Sequence, residues 1–448
     1  MKYNISVKEF LASLKAGSVD QQDFNEAFNR ELKALRKHEF FQHEEGMKGK
    51  GMPISVKDNI CVKGMQSTAG SRILAGYKPT FDATAVTKMR DAGSIIGKTN
   101  QDEFGFGTFS VNSGWGIPKN PLDTERTCGG SSGGAAGLTA ALSVPHVALA
   151  ESTGGSISCP SAFCGVVGIT PTYGLVSRYG LIDYANSLDK IGTMGKSVWD
   201  AAFALSLIAG RDEKDSTSLD AKKKDYTKTR SVKGMKMAVP KEYFINVEKN
   251  VEKNAWVAIK RLESDGVTYE EVSLPTTQSA LYAYYIIATV EASTNLARYC
   301  GMRYGMEQAM KGDFNQYFTS VRTAGFGAEA KRRIILGTYA RMAGYRNAYY
   351  LKAMKMRTLV IKDFKRIFSK FDAIAAPTMP ALPPKFSEIE KLTPMQTYQM
   401  DALTVPHNLA GMPAVSVPCA RMTGIHLIGD HLQEEKIISL AFAYEGKE

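Results

Sequence analysis

The 448-residue chain is 44% apolar and 23% charged, the balance of a globular protein, which excludes a disordered or collagen-like chain. Its length predicts two or more domains, or one large α/β domain carrying an insertion. A net charge of +11 favours encounter with polyanions, and six scattered cysteines with no C-x-x-C pair and no zinc-spaced histidine argue against a zinc site and for a reducing, cytosolic compartment.

The N-terminal stretch MKYNISVKEFLASLK lacks the apolar core of a secretory signal, and its Ser6-x-x-Glu9 spacing reads as a capping box that opens an amphipathic helix. Helical patterning runs from residue 7 to about 43 and gives way, after Gly49-Lys-Gly-Met-Pro53, to ISVKDNICV, a β-branched run that predicts a strand. Glycine is dense from there to about residue 210. In that region strand-like pieces (94–97, 144–150, 165–169) alternate with turn clusters and with a helix pattern over 197–208. Such alternation predicts an α/β fold with a parallel or mixed sheet. The most apolar stretch, 135–150, is interrupted by Thr139, Ser143, Pro145 and His146 and is too short to span a bilayer, so a soluble protein is expected.

The lysine-rich run 221–230 reads as a solvated surface segment. Lys236-Met-Ala-Val-Pro240 predicts another strand, residues 278–370 are mostly helical in pattern, and two pieces, 371–377 and 413–418, return to β character. The middle helical block therefore reads as an insertion that caps a sheet built from both halves. Within it, the mixed aromatic and basic stretch 345–352 is weak as evidence for a nucleic-acid groove.

Between Thr127 and Gly137 the chain reads TCGGSSGGAAG, two serines fenced by glycine pairs. Glycine admits backbone conformations closed to other residues and lets a ligand approach closely, although an ordinary Gly/Ser loop reads the same way. Downstream, Glu151-Ser-Thr-Gly-Gly-Ser156 again ends a glycine pair with a hydroxyl. Consecutive N–H groups there form the kind of nest that binds an anion, including the oxyanion of a tetrahedral intermediate. A serine nucleophile needs a base. None of the histidines (38, 43, 146, 407, 426, 431) lies in a triad-like motif, and neither serine sits in a G-x-S-x-G elbow. Lys57, inside the apolar run Ile54-Ser-Val-Lys-Asp-Asn-Ile60, is the other candidate, since burial lowers a lysine pKa and frees its amine. Pairing with Asp58, or snorkelling at a strand edge, is the plainer alternative.

The stretches GMPISVKDNI, CGGSSGGAAG and STGGSISCPSAFCGVVGITPTYGLVSRYGL, in this order, resemble the amidase-signature family. The resemblance implies one amidase-signature domain over 1–448: helices in 1–45, a catalytic core in 50–210, a helical cap in 275–370, and a return to the sheet in 371–448. It implies a central mixed β-sheet flanked by helices on both faces. It further implies that Ser156 is the nucleophile, that Ser131, beside a cis peptide, bridges, and that Lys57 is the base, with Thr153, Gly154 and Gly155 lining the oxyanion hole.

Within the family, Asp102-Glu-Phe104, Asn120-Pro-Leu-Asp123, Tyr284-Tyr-Ile-Ile-Ala-Thr-Val-Glu-Ala-Ser293, Lys331-Arg-Arg-Ile-Ile-Leu-Gly337 and residues 401–411 are similar to the A subunits of glutamine-dependent aspartyl/glutamyl-tRNA amidotransferases. That likeness implies a substrate site in which Arg333 holds the α-carboxylate of glutamine and Asp401 its α-ammonium, with Tyr285 beside them. It implies ammonia passed to a B subunit in a heterotrimer with B and C subunits, with ATP and Mg used by the partner, misacylated tRNA held mainly there, and no cofactor in this chain. A stand-alone amide hydrolase and a catalytically weakened assembly subunit are the alternatives. The second arises because the family pattern S-D-T-G-G-S-I-R reads E-S-T-G-G-S-I-S here, with Ser152 and Ser158 replacing an acid and a base. Losing both avoids the ~3–5 kcal/mol cost of one unpaired buried charge. The segment between the two serines is slightly longer, and the C-terminal stretch 419–429 shorter, than the family pattern.

Overall fold

The computed structural model describes residues 3–446. Its strands are β1 (Phe41–Glu44), β2 (Met52–Lys57), β3 (Gly93–Thr99), β4 (Val147–Ser152), β5 (Val167–Thr170), β6 (Lys190–Gly195), β7 (Lys236–Pro240), β8 (Thr268–Val272), β9 (Ala373–Pro377), β10 (Ala414–Ala420) and β11 (Thr423–Ile428). All join one sheet in the order β1-β3-β2-β4-β6-β5-β10-β11-β9-β7-β8. β2 runs parallel to both β3 and β4, and β9, β7 and β8 run parallel to one another. The centre, from β4 through β6, β5, β10 and β11 to β9, is antiparallel. The sheet is therefore mixed. Its late strands β9 to β11 lie between the early strands and β7, so segments far apart in sequence make one surface.

Strand alternation divides the core. Met237 and Val239, Ala373 and Ala375, Val415 and Val417, and Ile425 and Leu427 join one apolar cluster, with Phe10, Phe24, Leu205, Ile259 and Leu440 from helices on that face. The intervening Ala238, Ile374, Ala376, Ala414 and Ile428 join a second cluster with Ile287, Ala330 and Phe364 of the helical block. This is the period-two pattern of strands covered on both sides. Each fully buried Leu, Ile or Phe contributes about 1.5–3 kcal/mol.

The expected capping box forms: Ser6 Oγ accepts from the Glu9 amide at 3.2 Å, and the Glu9 carboxylate accepts from the Ser6 amide at 2.8 Å. The block patterned as helical contains Thr277–Asn295, Phe314–Gly325, Ala328–Arg341 and Lys352–Phe368. The aromatic stretch within it includes a π-helical turn, Asn347–Leu351, and the exposed rings of Tyr345 and Tyr349 pack against Tyr339.

Four strands were not read from the sequence. The N-terminal helical pattern ends at His38, Glu39 turns the chain at φ +58°, and Phe41–Glu44 pairs with β3. β6, with glycines at 192 and 195, shows no apolar period because it is buried throughout. β8 is a charged edge strand, and β11 lies in the stretch that differs from the family pattern. No helix among the described residues is long and apolar enough to cross a membrane.

Candidate active site

β2 ends in Lys57, which is fully buried. The Lys57 Nζ lies 2.7 Å from Ser131 Oγ, 3.0 Å from the Glu151 carbonyl and 2.9 Å from Glu151 Oε2. Burial pushes the lysine pKa down, while Glu151, then Asp102 and Asp189, work against that shift. The alternative pairing is not made by Lys57: it is Lys98 whose Nζ approaches Asp58, at 3.7 Å.

Ser131 ends a tight loop just before the helix Gly133–Ala141, and the Gly130–Ser131 peptide is cis. Glycine is required here by close approach. A Cβ at Gly130 would stand 2.3 Å from Asp102 Oδ2 and 2.7 Å from the Ser110 amide. Asp102 itself accepts the Ser110 and Asn112 amides at 2.8 and 2.9 Å, and burial raises its pKa to about 6. The neighbouring Ser132 Oγ donates to the Glu151 carbonyl at 3.1 Å, so the loop is tied to the end of β4.

Ser156 lies between β4 and the helix Ser158–Cys164 and is 7% exposed, whereas Lys57 and Ser131 are at 0%. Of the three, it is the one that reaches solvent. Thr153, Gly154 and Gly155 form the turn that leads to it. A Cβ at Gly155 would meet Thr404 Oγ1 at 2.3 Å, so the turn packs directly on the segment that follows Asp401. Beneath it, Ser152 Oγ donates to the Gly154 carbonyl at 3.2 Å, and Asn408 Nδ2 donates to the same oxygen. Ser158 Oγ lies 3.2 Å from His426 Nε2, and the His426 and His407 rings meet edge to face at 4.7 Å. Burial holds both imidazoles well below their ordinary pKa, His426 at about 3. Ser158 thus faces a neutral imidazole.

Arg333, Asp401 and Tyr285 come together although they lie on three segments. The Tyr285 hydroxyl donates to Asp401 Oδ2 at 2.5 Å, and Thr108 Oγ1 lies 3.1 Å from both Asp401 oxygens. Burial raises the Asp401 pKa to about 6, against these hydrogen bonds and the charge of Arg333. The Arg333 Nε donates to Glu329 Oε1 at 2.8 Å, and its Nη1 donates to the Tyr184 hydroxyl. Its guanidinium sits 5.2–5.6 Å from the ring centres of Phe106, Tyr184, Tyr285 and Tyr398. Such an aromatic box holds a cation by its ring faces and leaves Nη2 for a further anion.

The residues matched by the Amidase family model run from 14 to 438. The chain belongs to the amidase family. It is 48% identical over 404 residues to the A subunit of a glutamyl-tRNA(Gln) amidotransferase from Halothermothrix orenii, covering 88% of this chain and 84% of that protein. It is equally similar to the corresponding A subunit from Methanococcoides burtonii, with the same coverage. The crystal structure of the glutamyl-tRNA(Gln) amidotransferase A subunit from Thermotoga maritima superimposes with a TM-score of 0.82 at 36% identity, over 99% of this chain and 95% of that one.

Within this amidase frame, sequence reasoning missed several groups that hold the site. Glu151 and Asn59 meet at 3.1 Å beside Lys57, and Asp189 supports Thr153 at 2.8 Å. Glu329 and Tyr398 fix Arg333, the Tyr398 hydroxyl donating to Glu329 Oε1 at 2.8 Å. Glu151 opened the stretch Glu151-Ser-Thr-Gly-Gly-Ser156 but was assigned no role there. Asp189, Glu329 and Tyr398 carried no local signal. Among the described residues, no group of three or more His, Cys, Asp or Glu side chains is placed to hold a metal ion.

Proposed function

We propose that this amidase hydrolyses glutamine as the A subunit of a tRNA-dependent amidotransferase and supplies the ammonia to a partner subunit. The observation that carries this reading is the contact of Lys57 with Ser131 at 2.7 Å, beside a separate buried cluster in which Tyr285 joins Asp401 and faces Arg333. The names of the 48% identical relatives support it.

In this reading the neutral Lys57 amine takes the Ser131 proton as Ser131 Oγ takes that of Ser156, and Ser156 Oγ bonds to the side-chain amide carbon. The Thr153 to Ser156 N–H groups hold the oxyanion. The proton returns through Ser131 to the amide nitrogen, the C–N bond breaks and ammonia leaves. Water then cleaves the glutamyl ester and releases glutamate. Arg333 holds the α-carboxylate with the edge that Glu329 and Tyr184 leave open, and Asp401 holds the α-ammonium. A guanidinium suits the first and a carboxylate the second. The partner, with a further subunit in a cytoplasmic heterotrimer, uses ATP and Mg to activate Glu-tRNA(Gln), Asp-tRNA(Asn) or both.

The test is glutamine hydrolysis by the isolated chain and by the complex purified with its partners. Activity that needs the complex and disappears in Ser156→Ala supports the reading. Broad amidase activity of the chain alone points to a stand-alone hydrolase, and no activity in either setting points to an assembly role.

A further inference from the structure

Glu151 stands where the family pattern S-D-T-G-G-S-I-R has serine, and Ser152 where it has aspartate. Neighbouring residues on a strand face opposite sides, so Glu151 projects to the side of β4 opposite Ser152. The side it reaches holds the lysine: Glu151 Oε2 is 2.9 Å from Lys57 Nζ and accepts from Asn59 Nδ2 at 3.1 Å. The other oxygen, Oε1, accepts from Thr153 Oγ1 at 2.8 Å. Thr153 Oγ1 also lies 2.8 Å from Asp189 Oδ1. Lys57, Glu151 and Asp189 are fully buried. One carboxylate therefore joins the lysine to the first residue of the oxyanion turn.

We propose that Glu151 is a positioning residue for acyl transfer in this chain: its carboxylate clamps the Lys57 amine against Ser131 and couples that amine to the turn carrying Ser156. The role rests on Lys57 serving as base for Ser156. Three acids face the amine from three segments: Glu151 on β4, Asp102 after β3, and Asp189 before β6. Each favours the ammonium form, and burial opposes them. Glu151 is the one in direct contact. Burial first, and then Glu151, pushes the Asp189 carboxyl up from the ordinary carboxylate range, and Asp189 lies behind Thr153 rather than against the amine. The carboxyl group in contact with the base is that of Glu151, and it offsets part of the lowering that burial imposes on the Lys57 amine.

The experiment is the pH profile of kcat/KM for glutamine in the purified complex, for the unsubstituted protein, Glu151→Gln, Glu151→Ser and Ser156→Ala. Glu151→Ser restores the residue type of the family pattern, and it serves should the glutamine variant fail to fold. Losing a charge in contact with the amine is expected to move the acidic limb down by about 1–3 pH units, with KM changed less than about twofold because Glu151 does not reach the Arg333 and Asp401 pocket. An acidic limb that stays in place in the folded Glu151 variants, whether or not kcat falls, overturns the proposal. If Ser156→Ala is inactive while that limb is unmoved, the role of Glu151 fails and the nucleophile assignment stands. Activity in Ser156→Ala removes both.

Discussion

Lys57 Nζ and Ser131 Oγ meet at 2.7 Å across 74 positions of sequence, with both side chains sealed from solvent, and the proposed function runs the proton from Ser156 through Ser131 to Lys57. A relay in that order predicts unequal losses. Ser156→Ala is expected to abolish glutamine hydrolysis, and Lys57→Ala to lower kcat by ~10²–10⁴, the usual contribution of a positioned base. Neither should change KM by more than a few-fold, which steady-state assays of the complex will read.

In the proposed function Arg333 binds rather than reacts, its guanidinium fixed on one edge by Glu329 and Tyr184. Arg333→Ala is expected to raise the glutamine KM by ~10- to 100-fold, the ~1.5–3 kcal/mol of a charged hydrogen bond, with kcat changed far less. Arg333→Lys should recover little, because an ammonium cannot span both the fork and a carboxylate. A kcat loss with unchanged KM would place the arginine elsewhere in the cycle.

The proposed role of Asp401 as the partner of the glutamine ammonium carries a pH dependence. Its carboxyl, raised to about 6 by burial, must be ionised to hold an ammonium, so the glutamine KM is expected to rise as pH falls through about 6. The Tyr285 hydrogen bond pulls that pKa down. Tyr285→Phe should therefore move the inflection to higher pH. A set of KM values between pH 5 and 8, for both proteins, checks the direction.

Beneath the nucleophile turn, His426 titrates near 3 in the fold because of its burial, against ~6.5 for an unfolded histidine. Below that unfolded value the unfolded chain takes a proton that the folded chain refuses, so this group costs stability as pH falls from about 6.5 toward 3, at ~1.4 kcal/mol per unit. In His426→Gln that slope should be absent. Chemical denaturation of both proteins at several pH values below 6.5 will show their stabilities converging with acidification. A constant offset would mean that His426 is not kept neutral.

Much of this was legible in the residues. The strand ending in Lys57 is written in a β-branched run, the fenced serines announce a backbone packed too closely for any Cβ, and the capping box at Ser6 and Glu9 is a matter of four consecutive residues. These features depend on a few neighbours along the chain, so sequence order alone carries them. β6, β8 and β11 were not legible, because a strand buried on both faces, or lying at a charged edge, shows no alternation.

What the chain order could not decide is which charges face one another. Glu151 reaches Lys57 across 94 positions and Arg333 reaches Tyr184 across 149, and each contact exists because the sheet and the helical block bring distant segments to one place. The same packing removes water from Lys57, Asp102 and Asp401 and so shifts their proton affinities. Residue identity supplied the amine, the hydroxyls and the acids; tertiary burial and pairing decided which of them carry a proton, since desolvation and Coulomb interaction depend on distance in space and not on position in the chain.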